Sequence, residues 1–80
     1  MMSNKQQEPR LWRYRIKYTA ADAVNANYHY YMAYSASQAL HYQQIMCERK
    51  HWDIHTLSIE RKCPWSDRWI DETNQVKISA

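Results

Sequence analysis

Leu11-Trp12-Arg13-Tyr14-Arg15-Ile16-Lys17-Tyr18 places oily and cationic residues in strict alternation. Side chains point to opposite faces along a strand, so the segment reads as a two-sided β-strand. Trp12, Tyr14, Ile16 and Tyr18 make one side, and Arg13, Arg15 and Lys17 make the other. The oily side needs a core. The cationic side is left for solvent or an anionic partner, which directs the functional reading towards binding rather than chemistry.

The rest of the fold builds outward from that ribbon. Thr19–Asn27 is a connection, with a short capped turn at 20–24 and a plain loop both open. Residues 28–34 read as a second strand, antiparallel to the first. It carries Tyr28, Tyr30, Met32 and Tyr34 on one side and His29, Tyr31 and Ala33 on the other, and aromatics on both sides leave its buried face open. Ser35-Ala36-Ser37-Gln38 has capping-box form and starts a helix running from Ala36 to about Lys50. Ala36, Ala39, Leu40, Gln43, Met46 and Cys47 share its inner face. Arg49 and Lys50 suit the negative end of its dipole. Ile45 faces outward, an isolated exposed apolar residue. A third strand over 54–61 points Leu57 and Ile59 at the core, and Pro64 ends it in a turn. Residues 68–72 form a short fourth strand, and 74–80 add an edge or stay loose. The order β-β-α-β, with a possible further β, gives an α+β fold: a two-layer antiparallel sheet with one helix on one face. That helix covers Trp12, Tyr14 and Ile16 and leaves Arg13, Arg15 and Lys17 on an open face.

Eighty residues make one small domain, expected over 11–73 after a flexible tail at 1–10. A chain of this length buries only about 60% of its unfolded surface, so the core is thin. Hydrophobic residues are 45% and aromatics 14%, with Tyr and Trp replacing the absent Phe. There is no glycine, so any turn needing positive φ falls to Asn or Asp, with Asn25 and Asn27 the candidates. The net charge of +3 is mildly basic. No run is long or apolar enough to cross a bilayer, and no apolar signal segment precedes the domain. A cytoplasmic protein with Cys47 and Cys63 as reduced thiols is expected.

The basic stripe is the leading candidate site. His29 and Tyr31 are expected beside Arg13, Arg15 and Lys17, where aromatic rings stack on bases or interface groups while the cations meet phosphates. The competing reading is a solvated outer face that keeps the sheet soluble. Cys47, His51, His55 and Cys63 invite comparison with zinc ligands, but there is no Cys-x-x-Cys knuckle and Cys47 falls on the core face. A cysteine–histidine nucleophile pair has nothing to fix its geometry. Neither a metal, nor a cofactor, nor a catalytic residue is expected. Trp65, Arg68 and Trp69 are of the types that anchor interfaces. One tryptophan is expected to cover the end of the core, and Arg68 with Trp69 is assigned to a partner.

Ser35-Ala36-Ser37-Gln38-Ala39, Leu57-Ser58-Ile59-Glu60 and Arg68-Trp69-Ile70-Asp71 resemble, in order and spacing, part of a small anti-CRISPR protein that inhibits the type I-F surveillance complex. Such inhibitors come from phages and mobile elements and are not enzymes. The resemblance covers about half of this chain. It implies binding to the crRNA-carrying backbone of a Cascade-type complex and a block on target DNA hybridisation. The chain departs from the pattern where the relative carries basic residues along its helix, because Leu40, His41 and Ile45 stand there. The cations for the same task then come from Arg13, Arg15 and Lys17.

The leading expectation is a non-enzymatic inhibitor that occludes a nucleoprotein complex through a basic, aromatic-rich sheet face, with a protein or ribonucleoprotein partner and no membrane. The alternatives are a stand-alone nucleic-acid-binding module and a homodimeric structural or regulatory subunit joined through the open face or a sheet edge.

Overall fold

β1 (Trp12–Ala20), β2 (Ala26–Ala33), α1 (Ala36–Lys50), β3 (Ile54–Lys62) and β4 (Trp69–Asp71) follow one another along the chain, with a 3-10 turn at Thr73–Gln75. These elements come from a computed structural model that describes residues 10–78, so most of the tail expected at 1–10 lies outside the described residues. The strands form one antiparallel sheet in the order β2-β1-β3-β4. β2 and β3 both run antiparallel to β1 and so parallel to each other. Two parallel strands need a crossover, and α1 supplies it by packing across β1, β2 and β3. The result is an α+β, two-layer molecule with one helix on one face.

The alternation in β1 decides which side is dry. Tyr14, Ile16 and Ile59 are fully buried beneath α1 with Ala33, Ala36 and Ala39, and Trp12, Tyr31 and Val76 pack around them. After β4 the chain makes the 3-10 turn and Val76 packs against the core, and 74–78 adds no strand to the sheet. Thr19, Ala20, Ala26 and Asn27 extend the two strands, so the expected 19–27 connection shrinks to a loop at 21–25, its turn closed by Ala23 N–H donating to Ala20 C=O.

The helix begins and ends where its sequence signals stand. Ser35 Oγ accepts from Gln38 N–H at 3.1 Å. The return bond of the capping box is displaced by one residue: Gln38 Oε1 accepts from Tyr34 N–H at 2.8 Å. At the other end His51 takes the left-handed conformation, φ 57° and ψ 40°, while its N–H donates to Cys47 C=O. It is the only positive φ among the described residues. Asn25 and Asn27 do not fill that role; in a chain without glycine a histidine does.

β3 contains a bulge. Lys17 pairs with Ser58 and the next residue, Tyr18, pairs with Thr56, which leaves Leu57 unpaired. Leu57 is therefore 47% exposed rather than a core residue. The extra residue also resets the alternation. Ile54 and Ile59 are five apart and would face opposite ways on a regular strand. Here Ile59 is buried under the helix, and Ile54 lines a cleft beside Leu40 and Cys47 of α1.

Candidate binding face of the sheet

The face away from α1 is assembled by strand register. β1 pairs with β2 so that Arg13 lies opposite Met32, Arg15 opposite Tyr30, and Lys17 opposite Tyr28. Paired residues share a face, so Tyr28, Tyr30 and Met32 stand with the cations. On the far side Arg15 pairs with Glu60, while Glu60 pairs with Asp71 and Lys62 with Trp69, which adds Trp69 to the same face.

His29 and Tyr31 are on the opposite face, which corrects their placement beside the cations. Their register partners are Ile16 and Tyr14, both core residues. Tyr31 Oη donates to Gln43 Oε1, and His29 Nδ1 is 2.9 Å from the same oxygen. The His29 ring lies between Tyr18 and Trp52, with centroids at 4.1 and 4.6 Å. Burial and the neighbouring Cys47 push the Tyr31 hydroxyl up to about 12. This is a polar network on the helix side of the sheet, away from the cationic face.

Arg15 is on the open face and is already engaged. Its guanidinium carbon sits 4.5 Å from the Tyr28 ring centroid and 4.4 Å from that of Trp69, and its Nε donates to Glu60 at 2.6 Å. Burial opposes its charge, but the Glu60 hydrogen bond and carboxylate prevail and raise its pKa. Arg15 is the internal clasp of the face, holding Tyr28 and Trp69 in place. Arg13 is exposed and Lys17 half-buried, and among the described residues neither makes an ion pair. Lys62 is turned towards its own loop, with Nζ 3.0 Å from Ser66 C=O and 3.8 Å from Asp67.

The Trp65–Trp69 region also differs from expectation. Trp69 is half-buried against Arg15, with the Tyr30 ring 6.2 Å away. Trp65 is 83% exposed on the loop before β4, and Arg68 is exposed on the same loop. Neither tryptophan covers the core; that end is closed by Trp12, over which the Arg61 guanidinium stacks at 4.4 Å. Arg61 is fixed in turn by Glu72 at 2.7 Å.

The face thus consists of two cations, Arg13 and Lys17, beside exposed Tyr28, Tyr30 and Met32, with the Arg15 clasp at its centre. Tyr28, Tyr30 and Met32 are the members that the sequence reading did not assign. Their signal was their own alternation, which needed the β1–β2 register to be assigned to a face. Cys47 and Cys63 are free. Among the described residues no three His, Cys, Asp or Glu side chains come together, and no helix is long and apolar enough to cross a membrane. Comparison of the chain with protein-family models, curated proteins and solved structures returned no match.

Proposed function

We propose that the protein is a non-enzymatic inhibitor that covers a nucleoprotein complex with its open sheet face, in the manner of the anti-CRISPR proteins its sequence resembles. The observation that carries this reading is the composition of that face: exposed Tyr28, Tyr30 and Met32 joined to Arg13 and Lys17. Tyr, Met and Arg are enriched at protein interfaces, where a few such residues supply most of the affinity. Two available cations are few for gripping bare nucleic acid. Each neutralised phosphate contributes a slope of about −0.7 to −0.9 in log affinity against log salt, and non-specific binders use many such contacts. An apolar protein groove with phosphates or carboxylates at its rim matches the face better than a naked strand does.

The test is binding of the purified protein to three probes over a salt series: a type I-F surveillance complex, its crRNA alone, and duplex DNA. Tight binding to the complex with a shallow salt slope, and loss of target DNA hybridisation, is the expected result. Arg13→Glu with Lys17→Glu should weaken it by about tenfold or more. Equal or tighter binding to free crRNA or DNA, with a steep salt slope, would instead make this a stand-alone nucleic-acid module. No binding to any probe would remove the reading.

A further inference from the structure

The two edges of the sheet are not alike. β4 is three residues long. β2 is eight residues long, and Ala26-Asn27-Tyr28-His29-Tyr30-Tyr31-Met32-Ala33 contains no Lys, Arg, Asp, Glu or Pro. Edge strands are normally blunted by shortness, charge, proline or a bulge, because their free N–H and C=O groups invite another strand. β4 has the first of these protections and β2 has none; the bulge lies in β3, away from the edge.

The surface beside β2 is apolar as well. An open groove between β2 and the flank of α1 is lined by Tyr31, Tyr42, Ile45 and Met46, with Arg49 at its rim. Ile45, the isolated outward residue of the helix, belongs to this groove.

We propose that β2 pairs antiparallel with β2 of a second copy, joining two four-stranded sheets into one continuous sheet. Geometry restricts how this is done. An antiparallel edge-to-edge pair of identical strands has its two-fold axis normal to the sheet, so both helices lie on the same side. Even-numbered residues then face even-numbered residues. Setting Tyr30 opposite its own copy pairs Tyr28 with Met32 across the junction. It brings rings and a thioether, all on the open face, into contact. The Tyr42 and Ile45 flanks approach each other on the helix side. An uncharged strand meets its copy without like-charge contact, which argues for a second copy over a charged peptide as the occupant. The open faces of both copies then form one surface, with Arg13 and Lys17 repeated on either side of the axis.

The experiment is sedimentation equilibrium of the full chain, joined to oxidative cross-linking of single-cysteine additions mapped by mass spectrometry. The expected mass is twice the 9.8 kDa chain mass. Tyr30→Cys should form a disulfide with its own copy, whereas Val24→Cys, on the exposed connecting loop, should not. Tyr30→Lys places two ammonium groups together at the axis and should raise the dimer dissociation constant by about tenfold or more. If Tyr30→Lys loses its native circular dichroism, Ile45→Glu serves for the same measurement. A monomeric wild type, a dimer unmoved by a folded Tyr30→Lys or Ile45→Glu, or cross-linking at Val24 but not Tyr30 would each overturn the proposal. Arg13→Glu with Lys17→Glu should leave the dimer intact, so failure of the dimer and failure of the open-face reading are told apart.

Discussion

Tyr30 and Tyr31 are adjacent on β2 and have opposite fates. Tyr31 lies beneath α1 with its hydroxyl donating to Gln43, whereas Tyr30 is 58% exposed on the cationic face. The same contrast runs across the whole sheet. Each face carries an arginine held by aromatic stacking and a glutamate: Arg61 over the single ring of Trp12 with Glu72, and Arg15 between Tyr28 and Trp69 with Glu60. One face is a core because a helix lies on it. The other uses nearly the same residue types and stays open because, among the described residues, no second helix lies there. Residue type alone does not assign a side of a sheet; the covering layer does.

That contrast can be broken most forcefully from below. Ile16→Ala and Ile59→Ala each remove a fully buried side chain and should cost about 2–5 kcal/mol in urea unfolding, enough to unfold a domain this small. Melting like the wild type would mean that the helix face is not the core. Next is Gln43→Leu. It leaves the Tyr31 hydroxyl and His29 Nδ1 without their shared acceptor and should cost about 1–3 kcal/mol. Adding Tyr31→Phe should restore part of that loss, and a double variant no more stable than the single one would exclude the shared bond as the cause.

Alkaline titration sharpens the comparison. Burial first, with Glu72 second, pushes Tyr14 up to about 12, and burial with Cys47 does the same for Tyr31. A folded pKa above the unfolded value of 10 means that the native state keeps protons the unfolded chain has lost. The stability these two hydroxyls contribute is complete below pH 10 and is lost as pH rises from there towards 12. Tyrosinate absorbance should therefore place both among the last to ionise, and Tyr31→Phe should remove one of those late steps.

On the open face the effects shrink. Arg15→Ala should cost about 1–2 kcal/mol by releasing two ring contacts and an ion pair, and it should redshift the Trp69 emission as the ring is uncovered. Arg13→Glu and Lys17→Glu should each move stability by no more than about 0.5 kcal/mol. A larger loss in the urea midpoint would mark those cations as structural.

Much of this architecture could be read from the chain because its signals are local. The strict alternation of β1 assigned both of its sides, and Ser35 with Gln38 set the helix start at Ala36. The misplaced elements depend on distant register. β2 has aromatics on both sides, so its pattern is satisfied either way up, and only the pairing of Tyr14 with Tyr31 decides that His29 and Tyr31 go under the helix. Arg15 carries no mark in the sequence that Glu60 and Trp69, more than forty residues away, will engage it. Leu57 fits a core position by hydrophobicity and spacing, and the bulge that turns it outward is invisible to a period-two pattern.

The unpaired residue of β3 has a consequence for how the molecule tolerates change. Replacing Leu57 by a small or polar residue alters an exposed side chain and little else. Deleting it does little more. Without the extra residue Thr56 is followed directly by Ser58, so plain alternation keeps Ile54, Thr56 and Ile59 on one side of the sheet and only the local kink is lost. Position 57 is thus open both to spelling and to loss: point variants and a one-residue gap there should each leave the helix-side residues of β3 in phase with β1.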